Sequence, residues 1–207
     1  MSPAPVEFWF DFASTYSYVA ALRVEAAAEA EAIPLVWKPF LLGPLFQRQG
    51  WSDSPFNLNP VRGRYMWRDI ERLCGQHGLE FRKPTIFPRR SLLPARLACA
   101  AGREPWMPEF ARRVFRANFA EDRDIAATGV MSEILQALGQ DVDRWMVRAL
   151  EPENKEALRA QTEQAWTLGV FGAPTFVAGA ELFWGGDRMS DAFSWAKVEA
   201  RPGGRVG

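Results

Sequence analysis

Thiol and imidazole chemistry is scarce here: 207 residues hold only two cysteines, Cys74 and Cys99, and a single histidine, His77. The cysteines lie far apart, with no C-x-x-C spacing and no histidine at zinc spacing, so neither a redox dithiol nor a zinc site is readable. Both read as small buried hydrophobes. His77, beside Gly78 at a helix end, reads as a surface C-terminal cap rather than a catalytic base. Net charge is also missing, because 25 basic residues balance 25 acidic ones. The two signs are mixed along helices, which excludes the one-sided basic excess of a nucleic-acid binder. No run reaches the ~18 apolar residues of a membrane span, and the Met-Ser-Pro-Ala-Pro start lacks a basic and apolar signal region. The expectation is a cytoplasmic protein with neither nucleic acid nor membrane as a partner.

What is present is apolar and aromatic: 48% of the chain is hydrophobic, with nine tryptophans. That composition belongs to a folded globular chain, and the length suits one α/β domain over 1–207. Val6 to Phe12 (VEFWFDF) is a β-branched and aromatic run of strand length, broken at Ala13-Ser14-Thr15. An alanine-rich helix from about Tyr16 to Glu31 follows, with Ser14 or Thr15 placed to cap it. Ile33 to Phe40 reads as a second strand, parallel to the first across a right-handed crossover.

Leu41 to Asn59 reads as an ordered loop carrying Phe46, Trp51 and Phe56. Helical periodicity then holds for about a hundred residues: Arg62 to His77, Ser91 to Ala101, Trp106 to Asn118, Gly129 to Leu138, Asp141 to Leu150 and Pro152 to Leu168. Pro174 to Ala178 and Glu181 to Gly185 form a hairpin across Gly179, a last helix runs from about Arg188 to Val198, and the tail from Arg201 to Gly207 should be frayed. The order β-α-β, helical interruption, β-β-α describes a thioredoxin-like fold with a large all-helical insertion. Its core covers about 5–40 and 170–200 and the insertion about 60–168. Ligand then belongs where strand one meets helix one.

That junction, Phe10-Asp11-Phe12-Ala13-Ser14-Thr15-Tyr16-Ser17-Tyr18, resembles the active-site turn of 2-hydroxychromene-2-carboxylate isomerases and, less closely, of kappa-class glutathione transferases, both related to DsbA-type disulfide oxidoreductases. The resemblance extends from about Val6 to Val198. It includes Asn59-Pro60-Val61-Arg62-Gly63-Arg64-Tyr65-Met66-Trp67-Arg68-Asp69 and Gly169-Val170-Phe171-Gly172-Ala173-Pro174-Thr175-Phe176, leading to Leu182-Phe183-Trp184-Gly185-Gly186-Asp187-Arg188. Where the oxidoreductases carry C-x-x-C this chain reads Ser14-x-x-Ser17, so thiol–disulfide exchange on the protein is excluded.

The resemblance implies glutathione as cofactor. Ser14 would activate its thiol, the backbone of Ala173 before a cis Pro174 would pair with the cysteinyl part, and Gly186-Asp187 would hold the γ-glutamyl end. Arg62 would meet the glycyl carboxylate, standing where the family commonly has lysine, with Asn59 and Asn57 as polar neighbours. The residues alone leave simpler readings open: Ser14 and Asp187 as helix caps, Ala173-Pro174 as an ordinary trans strand start, and the asparagines as turn formers.

Arg64, Arg68 and Arg72 read as a solvated helix face, any one of which could meet a substrate carboxylate. Asp11 reads either as a buried carboxylate tuning the site or as an acceptor for the turn after it. The implied activity interconverts 2-hydroxychromene-2-carboxylate and trans-o-hydroxybenzylidenepyruvate, a step of aromatic catabolism, on a small aromatic carboxylate substrate, in a homodimer. A kappa-type transferase or a non-redox thioredoxin-fold binding module are the alternatives.

Overall fold

The computed structural model describes residues 3–199; the tail at 201–207 lies outside them. A four-stranded sheet runs in the order β2-β1-β3-β4. β1 (Val6–Phe10) pairs in parallel with β2 (Leu35–Pro39) and antiparallel with β3 (Thr175–Ala178), which pairs antiparallel with β4 (Glu181–Trp184). Ala178 faces Glu181 across the hairpin, and Gly179 turns it at φ 60°, a left-handed conformation that costs glycine little.

β1 is buried on both faces because its side chains alternate. Val6, Phe8 and Phe10 join the larger core cluster, while Trp9 packs on the other face with Phe40, Leu45, Val170 and Val177. Phe8 stacks on Phe176 at 5.3 Å and meets Trp37 edge-on at 5.0 Å, so one aromatic column crosses three strands. Phe12 continues it into the insertion, 5.0 Å from Phe115. Burying each such ring contributes roughly 1.5–3 kcal/mol, which fixes the end of β1 against the helical lobe.

The first helical stretch is two helices, α1 (Thr15–Ala21) and α2 (Val24–Ala30), broken at Leu22-Arg23. No glycine or proline marks the break. It lets Val24 and Ala28 turn into the core while α1 packs on the insertion, so tertiary contacts override alanine-rich propensity. The expected loop from Leu41 to Asn59 contains α3 (Leu42–Arg48) and α4 (Pro55–Leu58). Pro44 and Pro55 disguise both, yet each lies in a first turn, where the missing N–H has no helical partner to lose.

The insertion follows its periodicity closely: α5 (Pro60–His77), α6 (Leu92–Ala101), α7 (Met107–Phe119), α8 (Thr128–Ala137), α9 (Val142–Leu150) and α10 (Pro152–Thr167). After β4, a single 3-10 turn (Gly186–Arg188) leads into α11 (Met189–Glu199). His77 is the last residue of α5, with left-handed Gly78 beyond it. Cys74 is buried, its thiol pushed up to about 11 by burial, and Cys99 is half-buried; neither is in a disulfide. Among the described residues no helix is long and apolar enough to cross a membrane.

Candidate active site

β1 delivers the chain to the turn Asp11 to Ser14, and α1 begins immediately after. Ser14 is the N-cap, with extended backbone, and its Oγ accepts the Ser17 N–H at 3.1 Å. The same hydroxyl donates to the Ala173 carbonyl at 3.0 Å, across the gap between the turn and the loop before β3. The Ala173–Pro174 peptide is cis. The Pro174 carbonyl accepts the Gly185 N–H at 3.0 Å, which brings the residues after β4 to the same place.

These elements border one cavity of about 1500 Å³. Its floor is Ser14, Ala173 and Pro174; one side is Gly186 and Asp187, and another is Arg62. The segment from Leu41 to Phe56 and the loop from Phe87 to Leu92 line it as well. Single small-molecule sites usually occupy roughly 300–1,000 Å³, so this volume admits two ligands side by side. The segment from Leu41 to Phe56 is held in place: the Leu41 N–H donates to Thr162 Oγ1 at 3.3 Å, and Arg48 forms a paired contact with Glu163 of α10.

Asp11 is 3% exposed and accepts from the turn after it, one of the two readings foreseen for it. One carboxylate oxygen accepts the Ala13 N–H at 2.9 Å and the other the Leu42 N–H at 2.7 Å, joining the turn after β1 to the start of α3. Burial raises its pKa above the usual carboxylate value, and these hydrogen bonds oppose the rise. Tyr16, Phe46, Trp51 and Trp184, which the sequence leaves between core and cleft, all line the cavity. Tyr16 donates to Asp69 at 3.1 Å, and burial together with that carboxylate pushes its phenol up.

A DsbA-like thioredoxin domain model matches residues 5–193. The chain belongs to the DsbA-like thioredoxin family. It is 27% identical over 177 residues to glutathione S-transferase kappa 2 of Caenorhabditis elegans, covering 82% of this chain and 78% of that one. It is 24% identical over 185 residues to a 2-hydroxychromene-2-carboxylate isomerase of Sphingobium xenophagum, covering 89% and 93%. A solved structure of 2-hydroxychromene-2-carboxylate isomerase superposes with a TM-score of 0.86 at 23% identity, over 96% of this chain and 97% of the other, and so shares the fold.

In this DsbA-like chain Ser14, Arg62, Ala173, Pro174, Gly186 and Asp187 meet at one cavity, and Asn59 does not line it. Asn59 caps α5 instead, its Oδ1 accepting the Val61 and Arg62 N–H groups, while Asn57 bonds Asp53 and the Phe87 carbonyl. Asp187 makes no capping bond among the described residues. Among the described residues its exposed carboxylate pairs only with Arg188, at 3.7 Å. Arg68 and Arg72 pair with Glu71 and Asp69 on the solvent face, and neither they nor Arg64 reach the cavity. Sequence reasoning passed over Arg89 and gave Phe171 no role of its own, and both also line it. Both lie in segments without periodicity.

Proposed function

We propose that the chain is a glutathione-dependent isomerase interconverting 2-hydroxychromene-2-carboxylate and trans-o-hydroxybenzylidenepyruvate, or a close aromatic analogue. The observation that carries this is the Ser14 hydroxyl at a helix N-terminus, 3.0 Å from the Ala173 carbonyl in a cavity with room for a tripeptide and an acceptor. The donor set fits glutathione: an exposed carboxylate at Asp187 for an α-ammonium, a guanidinium at Arg62 for a terminal carboxylate, and the backbone of Ala173 for an extended cysteinyl unit.

Bound glutathione would supply a thiolate nucleophile that adds to the conjugated system, permits rotation of the opened bond and leaves on elimination. The protein's part is electrostatic and geometric. An ordinary thiol titrates near ~8.5, so it is mostly neutral at pH 7. Ser14 offers a hydroxyl donor beside the unpaired N–H groups and positive dipole end of α1, each favouring the anion. Serine cannot be trapped as a mixed disulfide. Asn59, by holding the Arg62 N–H, keeps the first turn of α5 at the cavity edge.

A second reading, a kappa-type transferase, is favoured by the likeness to the Caenorhabditis elegans protein. One ultraviolet assay on a chromene carboxylate, with and without glutathione, tests both. Isomerisation that needs glutathione and returns it intact supports the isomerase; a stable conjugate selects the transferase. No glutathione-dependent change, together with no glutathione binding in a calorimetric titration, refutes both.

A further inference from the structure

The Phe12–Ala13 peptide is gripped at both poles. Its N–H donates to the Asp11 carboxylate at 2.9 Å, and its carbonyl accepts from Asn118 Nδ2 at 2.9 Å. Asn118 sits in α7, 1% exposed, and reaches the turn after β1 from 106 residues away. Arg89 fixes which way the amide faces: its Nη1 donates to Asn118 Oδ1 at 3.0 Å and to the Asn118 carbonyl at 3.1 Å, leaving the NH₂ group for Phe12. Arg89 is itself buried and paired with Asp122, whose carboxylate the Thr85 N–H and Arg89 hold below the usual range.

We propose that Asn118, oriented by Arg89, is a positioning residue for the Ser14 turn: it holds the Phe12 carbonyl in the protein interior and away from the cavity floor. The inference rests on the glutathione reading above. Ala13 lines the cavity, whereas neither Phe12 nor Asn118 does, so the negative end of this peptide dipole now points away from the place where a thiolate would lie. Released, the peptide can rotate and turn a carbonyl toward that anion. An amide is suited to this task because it must accept from Arg89 and donate to Phe12 at once. Aspartate has the same shape and keeps the Arg89 contact, but it has no donor.

The test compares wild type with Asn118→Asp and with Arg89→Lys, which keeps the charge facing Asp122 but loses the fork. Amide hydrogen exchange at Ala13 and Ser14, measured without glutathione, should quicken in both variants while the strand amides of β1 stay protected. With glutathione bound, the pH titration of thiolate absorbance should move upward and kcat at neutral pH fall about tenfold, with KM for glutathione little changed and activity recovering at high pH. Folded variants with unaltered exchange at the turn, or with faster exchange but the wild-type thiol titration and kcat, overturn the proposal. Should Asn118→Asp not fold, Arg89→Lys is measured by the same readouts, and the same outcomes support or overturn it. If exchange quickens but wild type binds no glutathione, the functional reading fails while the clamp on the turn stands.

Discussion

Gly172 and Trp184 stand so close that a Cβ added at Gly172 would lie 2.5 Å from Trp184 Nε1. Trp184 leans on Phe171 at 4.8 Å between ring centres, and both rings remain about half exposed at the cavity rim. Gly172→Ala should therefore push the indole off Phe171 at little cost in stability and raise KM several-fold. Trimming the obstacle in Gly172→Ala/Trp184→Ala should give a non-additive result, a coupling of about 0.5–3 kcal/mol in a double-mutant cycle. Strict additivity would show that the two do not act as a unit.

Ser14 and Ser17 occupy the ends of one helical turn but have opposite surroundings. The Ser14 hydroxyl makes two hydrogen bonds, whereas the buried Ser17 Oγ has no partner among the described residues. Ser14→Ala should cost about 1 kcal/mol of stability as a lost cap and roughly tenfold in turnover at neutral pH, with the deficit shrinking as solution thiolate becomes plentiful. A deficit equal at every pH rules out the thiolate role. Ser17→Ala should be stability-neutral or gain up to about 1 kcal/mol, because it removes a buried polar atom without a bond.

Truncated thiols separate the two ends of the ligand. Asp187→Ala should weaken glutathione about tenfold or more, the scale of a lost charge-assisted bond, yet leave cysteinylglycine, which lacks the γ-glutamyl group, unaffected. Arg62→Met should show the reverse selectivity, spoiling glutathione but not γ-glutamylcysteine. Calorimetric titration of both peptides against both variants decides it, and a uniform loss across ligands refutes the assignment of ends.

Stability should depend on acid pH through two carboxylates of opposite sign. Asp122 titrates below its ordinary value, so its contribution is present above about pH 4 and is lost as pH falls through the folded-state value; Asp122→Asn should remove that loss. Asp11 titrates above its ordinary value, so the folded state binds the extra proton and stability declines as pH rises from about 4 through the raised value. Asp11→Asn should flatten that decline while costing about 1–3 kcal/mol, since a carboxamide cannot accept from both Ala13 and Leu42. Urea unfolding across the acid range measures both; the same slope in Asp11→Asn as in wild type contradicts the assignment.

The strands were legible because their evidence is local. VEFWFDF alternates between two cores, and Phe8, Trp9 and Phe10 need no distant partner to declare it. The helices of the insertion announce themselves through period and glycine stops such as Gly78 and Gly139. The break at Leu22-Arg23 was not legible, since it answers to packing on other elements rather than to the residues at the break. Of the site, Ser14 stood out by its place between strand and helix, but its bond to Ala173 spans 159 positions and no spacing rule reaches that far. Asn59 is absent from the cavity lining for the opposite reason: its side chain satisfies its own helix terminus, a local demand that competes with ligand contact. Arg89 and Asn118, 29 residues apart in a non-periodic loop and a helix, become partners only once the insertion folds back on β1.

A hydroxyl has a single hydrogen, and Ser14 gives it to the Ala173 carbonyl while the Ser17 N–H occupies the oxygen. In the glutathione reading, a visiting sulfur draws that hydrogen only by outcompeting a carbonyl, which an anion does and a neutral thiol, a weak acceptor, does not. Ser14 then works as a charge filter. When the hydrogen swings to sulfur, the Ala173 carbonyl loses a donor that a backbone N–H of the cofactor can replace, so in that reading ionisation of the thiol and seating of the peptide favour one another.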